Sequence, residues 1–162
     1  MHLQKLHIIN YRNIAQADIA LCEGINCFVG KNGAGKTNIL DTVYYLSFCK
    51  SYTSVADSLN ILHEQPFMVI QGEYLINGVE ETIYCGIKRG RKKQFKRNKT
   101  DYIRLTDHIG LLPLVIIAPA DEELIADVNR FAKELKKTIV VALTAPAPVR
   151  KEKNIMAKNV KK

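Results

Sequence analysis

One stretch limits what this chain can fold into more than any other. Residues Gly30 to Thr37 read GKNGAGKT and fill every position of the phosphate-binding pattern G-x-x-x-x-G-K-[ST]. Gly30, Gly33 and Gly35 allow a tight turn, with positive φ where it is needed and no Cβ between backbone and ligand. Successive N–H groups in such a turn converge on an anion. The helix that must follow adds its partly positive N-terminus. The pattern therefore assigns Gly30, Lys31, Asn32, Gly33, Ala34, Gly35, Lys36 and Thr37 to a nucleotide site. Lys36 would reach the β- and γ-phosphates, and the Thr37 hydroxyl would ligate Mg²⁺.

The flanking residues supply the expected context. Gly24 to Val29 (GINCFV) has alternating apolar residues and predicts a strand entering the loop. Thr37 to Lys50 has neither Gly nor Pro and is apolar nearly all round, which predicts a buried crossover helix. The phosphate loop thus sits in a strand–loop–helix unit of the α/β class.

At 162 residues the chain is long enough for one domain with its own core. We expect an ATP-binding lobe over residues 1–143 and a basic, disordered tail over 144–162, where the sequence becomes APAPVRKEKNIMAKNVKK. The start, MHLQKLHIINYRN, has no signal-peptide core, and no run approaches membrane-span length. The expectation is a soluble, cytoplasmic protein without a membrane partner. The cysteines are scattered without C-x-x-C spacing, and Cys27, Cys49 and Cys85 lie in apolar runs that predict buried thiols. The four histidines are isolated and suggest no metal or catalytic role.

Other elements follow from pattern. Leu3–Asn10 and Ile14–Leu21 alternate and predict a hairpin about Tyr11-Arg12-Asn13. Ser51–Glu64 is polar and predicts an exposed loop with one short helix. Phe67–Ile76 and Val79–Lys88 flank Asn77-Gly78, a strong hairpin signal, and Gln94–Asn98 predicts a third strand of an antiparallel meander. Thr100–Gly110 predicts a short helix, Leu112–Ala118 and Thr138–Leu143 two buried strands, and Ala120–Lys137 a helix between them.

The net charge of +8 is concentrated. Lys88, Arg89, Arg91, Lys92, Lys93, Lys96, Arg97 and Lys99 fall in one twelve-residue run without an acid. Placed on a hairpin turn and an edge strand, they are either edge protection or a contact for a polyanion such as DNA.

The quoted segments together resemble the N-terminal part of the RecF family of bacterial recombinational-repair ATPases. The likeness rests on LHIINYRN, on INCFVGKNGAGKTNILDTVYYLSFCKS, and on LPLVIIAPADEELI, and runs from Leu3 to about Ile125. It implies a P-loop NTPase head lobe of the ABC/SMC type with a mixed sheet. It implies ATP with Mg at the loop and an ATP-dependent homodimer. It also implies binding to single- and double-stranded DNA and their junctions, with recombination mediator proteins, to load recombinase on gapped DNA. It adds Asn38 and Arg12 to the nucleotide-binding residues. Asp121 falls where SMC-like heads carry their Q-loop, but no Gln is present there.

After Ala126 the sequence no longer follows the family. The signature motif, the Walker B strand and its acid do not occur, so no catalytic residue is assigned and ATPase activity stays open. The chain reads as an N-terminal fragment, with truncation, frameshift or fusion equally open. Two other functions remain: a small P-loop phosphotransferase, and a basic DNA-binding module with a vestigial nucleotide site.

Overall fold

The first ten-residue strand organises the fold. In β1 (His2–Tyr11), Leu3, Leu6, Ile8 and Tyr11 are buried. The chain turns at Arg12-Asn13 into β2 (Ile14–Ala20), which pairs antiparallel with β1. The computed structural model describes residues 1–53, 56–117 and 139–142. The helix expected over 120–137, Asp121 and the tail from Thr144 lie outside them.

Helix α1 (Lys36–Phe48) leaves the phosphate loop and leads to β3 (Phe67–Ile76) on the far side of β1. Both β2 and β3 pair antiparallel with β1, so they run parallel to each other and α1 is the crossover between them. Asn77 and Gly78 both have positive φ, as a two-residue hairpin turn requires, and deliver the chain into β4 (Val79–Lys88). The meander continues through β5 (Gln94–Arg97) and β6 (Thr100–Asp101). The resulting sheet has the order β2-β1-β3-β4-β5-β6, with every neighbour antiparallel. Parallel pairing occurs separately, between β7 (Leu114–Ile117) and β8 (Ile139–Ala142).

The core lies between the sheet and α1. Val43, Tyr45, Leu46 and Cys49 meet Leu6, Met68, Ile70, Ile83, Cys85 and Phe95 in one buried cluster. Full burial of side chains this size contributes roughly 1.5–3 kcal/mol each. Gly72 of β3 is required here: a Cβ would come within 2.6 Å of the Tyr74 ring and 2.8 Å of Leu46. Burial also pushes the Cys49 thiol up to about 11 and raises that of Cys85, so both are protonated at neutral pH.

Five expectations differ from the structure. Gly24–Val29 is not a strand: Ile25 and Val29 are more than four-fifths exposed, because no described strand lies beside them to complete a ladder. Cys27 is exposed for the same reason. The polar segment after α1 is not simply an exposed loop. Its 3₁₀ turn, Asp57–Asn60, folds against the β1–β2 turn, where Arg12 N–H donates to Asn60 O and Leu62 N–H to Asn10 O, burying Asn60 and Ile61. The residues of β7 from Leu114 to Ile116 are half-buried rather than enclosed. The short helix expected in Thr100–Gly110 is a 3₁₀ turn, Leu105–Asp107.

His108, next to that turn, closes the far end of the core. Its Nε2–H donates to Leu46 O at 2.6 Å, and the Tyr102 hydroxyl lies 3.0 Å from Nδ1. Phe95 stands over it at 4.7 Å between ring centroids. Burial lowers its pKa below the usual imidazole value, against the opposing pull of the Leu46 carbonyl. The unfolded chain therefore takes up this proton first, near its unfolded value of about 6.5. Stability from the neutral ring is present above that pH and is lost as pH falls toward the folded value. Unfolding free energy should decline between pH 7 and 5, by at most about 1.4 kcal/mol per pH unit for one proton. Urea titrations across this range in wild type and His108→Gln check it: the variant should be less stable at pH 7 and lose most of the slope.

Candidate nucleotide site and basic surface

Sequence chemistry shapes the loop before any ligand is considered. Gly33 and Gly35 have φ of 80° and 97°, left-handed values that favour glycine. Gly30 has an ordinary φ, and a Cβ there would meet only Ala34 at 3.6 Å, so its role is less demanding. A Cβ on Gly35 would approach Asn13 Oδ1 to 3.0 Å. The Lys36 ammonium turns back into the loop and donates to Gly30 O at 2.9 Å and Lys31 O at 2.8 Å. With three donors on an ammonium, one remains for a phosphate oxygen. Helix α1 begins without a side-chain cap and with no acid in its first turn. Its leading N–H groups and positive dipole end are thus left for an anion. Thr37 is exposed at that end, where its hydroxyl is open to a hydrated cation.

The loop is tied to the first hairpin. Asn13 Nδ2 donates to Gly33 O at 2.7 Å, and Asn38 Nδ2 donates to Asn13 Oδ1 at 2.7 Å. Arg12 Nη1 donates to Asn38 Oδ1 at 3.1 Å, joining the predicted Arg12 to the loop residues. The rest of the guanidinium faces inward. Nε and Nη2 both reach Asn60 Oδ1, and Nη2 lies 2.9 Å from Ser51 Oγ and 3.0 Å from Asp41 Oδ2.

Asp41, only 2% exposed, balances that charge. Its carboxylate also accepts from the Tyr11 hydroxyl at 2.7 Å, from Ser51 Oγ at 2.8 Å and from Tyr52 N–H at 2.7 Å. Burial beside this carboxylate raises the Tyr11 hydroxyl pKa, keeping it a proton donor. The carboxylate–guanidinium pair thus carries the connection from core to loop. The sequence places Arg12 near the loop but marks no role for Asn13, Asp41, Ser51 or Asn60. Asn13 and Asp41 lie within the quoted motifs; nothing in the spacing marks Asn60.

The basic run divides in two. Lys93 is mostly buried: its ammonium donates to Cys49 O at 2.6 Å and to Asp57 Oδ2 at 2.8 Å, and sits 5.2 Å from the Tyr45 ring centroid. Arg97 grips Glu81 through two bonds of 2.8 and 2.5 Å, and this bond to Arg97 lowers the Glu81 carboxyl. Arg89 donates to Gln65 O at 3.0 Å and to Ser58 O. Lys96 has a looser pair with Asp101 at 3.4 Å. Lys88, Arg91, Lys92 and Lys99 are exposed and make no ion pair among the described residues. A single basic face of eight charges is therefore not what the hairpin presents. Among the described residues no His, Cys, Asp and Glu cluster suits a metal, and no helix is long and apolar enough to cross a membrane.

This loop on this sheet defines a class. A family model for the AAA ATPase domain matches residues 1–159, and the chain belongs to that family. Within it, the chain matches the N-terminal part of RecF. The DNA replication and repair protein RecF of Phocaeicola vulgatus is 58% identical over 127 residues, covering 78% of this chain. The chain spans about a third of the length of the curated RecF relatives it matches, 34% in this case. Among solved structures, the recombination mediator protein RecF with ATP superimposes with a TM-score of 0.70 at 26% identity, over 76% of this chain and 34% of that one. The SMC head domain from Thermotoga maritima, at 20% identity, shares the fold with a TM-score of 0.57 over 78% of this chain and 51% of that one.

If Asp41 anchors Arg12, removing its charge leaves a guanidinium half-enclosed without a counter-ion. Asp41→Ala should cost about 3–5 kcal/mol, as for other broken buried pairs. Chemical denaturation measures this directly; a loss below about 1 kcal/mol would show that the network does not depend on Asp41.

Proposed function

We propose that this chain is the ATP-binding lobe of a RecF-type DNA replication and repair protein, acting on single- and double-stranded DNA and their junctions. The observation that carries the reading is the loop itself. Lys36 is folded into it, Gly33 and Gly35 hold it open to an anion, and Asn13 straps it to the first hairpin. Such an arrangement suits a polyphosphate rather than a chance glycine turn. Gly30 to Thr37 and Asn38 would hold ATP, with Thr37 toward Mg²⁺ and Lys36 toward the terminal phosphates. Bound Mg-ATP would supply the negative charge that the uncapped end of α1 and the free Lys36 donor favour. Arg12 would act through Asn38, since most of its donors are taken.

The lobe extends over residues 1–143 in this reading. ATP-dependent pairing of two heads and cooperation with recombination mediator proteins belong to it by family. Hydrolysis is not included, because the Walker B acid and signature motif of the family do not occur in the sequence. A small phosphotransferase is disfavoured: the basic run that would serve as its lid is a hairpin paired into the sheet, with Lys93 and Arg97 held by Asp57 and Glu81.

Two outcomes are expected. Lys36→Ala should weaken Mg-ATP by about tenfold or more, the equivalent of a charge-assisted contact of roughly 1.5–3 kcal/mol. Calorimetric titration tests it, and equal affinity in both proteins would refute the nucleotide assignment. Duplex binding should follow the four exposed charges Lys88, Arg91, Lys92 and Lys99. At about 0.9 per phosphate contact, log K against log salt should have a slope near −4. Replacing these four with Gln should remove most of that slope, whereas a shortened chain ending at Thr144 should keep it. Loss on shortening alone would assign DNA contact to the tail.

A further inference from the structure

Two tyrosine–glycine pairs lie on opposite faces of the large sheet, and only one is explained by packing. On the inner face, Tyr74 crosses Gly72 and is sealed by Leu46 and Leu3. On the outer face, Tyr84 of β4 lies across Gly86, two residues further along the same strand. A Cβ on Gly86 would stand 2.6 Å from the Tyr84 hydroxyl and 3.0 Å from two ring carbons. The ring therefore lies along the sheet rather than standing away from it. No other ring or cation stacks on it among the described residues.

The surroundings are those of a ligand site rather than of a core. Tyr84 stands in register between Gln71 of β3 and Lys96 of β5. With Thr82, Gln94, Asn98 and Lys99 these residues line a depression of about 610 Å³. Lys99 is exposed in the positive-φ turn that joins β5 to β6, and the Lys96–Asp101 pair is long enough to exchange with a phosphate. A tyrosine can lie over a strand glycine simply to cover it. Covering needs only an apolar body. It does not call for amides beside the ring and ammonium groups at its margin.

We propose that the outer face of β3, β4 and β5 is a single-stranded DNA platform, with one unpaired base stacked on Tyr84 and its flanking phosphates at Lys96 and Lys99. Aromatic rings on an open sheet, bordered by basic residues, suit unpaired bases because every base has a π-face. Bases inside a duplex are already stacked and cannot reach a ring lying flat on a sheet. The inference rests on the DNA reading above and names where the unpaired strand of a junction would lie.

The test compares a fluorescent oligothymidylate of about 15 nucleotides with a duplex of the same length, by anisotropy, using the full chain. Stacking on one aromatic is worth roughly 5- to 150-fold in affinity. Tyr84→Ala should weaken the single strand by about tenfold or more and leave the duplex within about twofold. Tyr84→Phe, which keeps the ring, should bind both as wild type does. Tyr84→Leu keeps a cover over Gly86 without a π-face; it should fold and lose single-strand affinity as the alanine variant does. Wild-type binding by the leucine variant would overturn the platform, as would an equal loss on duplex. If the wild-type chain binds duplex but not the single strand, the platform fails and the DNA reading stands. If it binds neither while Mg-ATP still binds, both DNA assignments fail and the nucleotide site stands.

Discussion

The buried contact between Arg12 and Asp41 is the constraint on which the rest of the site depends. Neither group is tolerable alone in that position, since a charge withdrawn from water needs a partner and further hydrogen bonds. Together they draw in Tyr11 from the first strand, Ser51 and Tyr52 from the end of the crossover, and Asn60 from the 3₁₀ turn. Four separate segments of sequence are thereby held at one point, and only the outward edge of the guanidinium continues toward the phosphate loop through Asn38 and Asn13. The loop's geometry is thus a property of the assembled lobe, not of its own eight residues.

Much of this was legible because the signals are local. The Asn77-Gly78 hairpin and its two strands followed from turn chemistry and alternation, and their observed bounds coincide with the expected ones. The phosphate loop, the helix after it and the first hairpin were equally plain. What failed was whatever depends on a distant neighbour. Gly24–Val29 has a strand's alternation, yet alternation supplies no hydrogen-bonding partner. The segment after α1 has a loop's composition, but Asn60 is buried because the Arg12 guanidinium needs its side-chain oxygen. In the basic run, composition could not separate Lys93, which anchors Asp57 and Cys49 O, from Lys92, which faces solvent.

The division of the sheet bears on how the chain relates to its family. All neighbours in the large sheet are antiparallel, and the parallel pair β7–β8 stands apart. The exposed apolar side chains of Ile25 and Val29 lie immediately before the phosphate loop. RecF relatives are about three times as long as the stretch matched here, so they hold much sequence with no counterpart in this chain. The antiparallel lobe, with its helix and loop, is closed by its own core and network.

The inward turn of Lys36 has a consequence for how a ligand is received. Two of its three donors are held by Gly30 and Lys31 carbonyls before any phosphate arrives. The side chain has therefore already given up part of its hydration and its rotational freedom during folding. A phosphate meeting it neither orders a long, mobile chain nor strips a fully hydrated cation. Those two costs commonly offset much of what a charged contact gains on association. In this lobe they fall on the folding reaction, where the hydrophobic core opposes them, and leave more of the electrostatic attraction to appear as affinity.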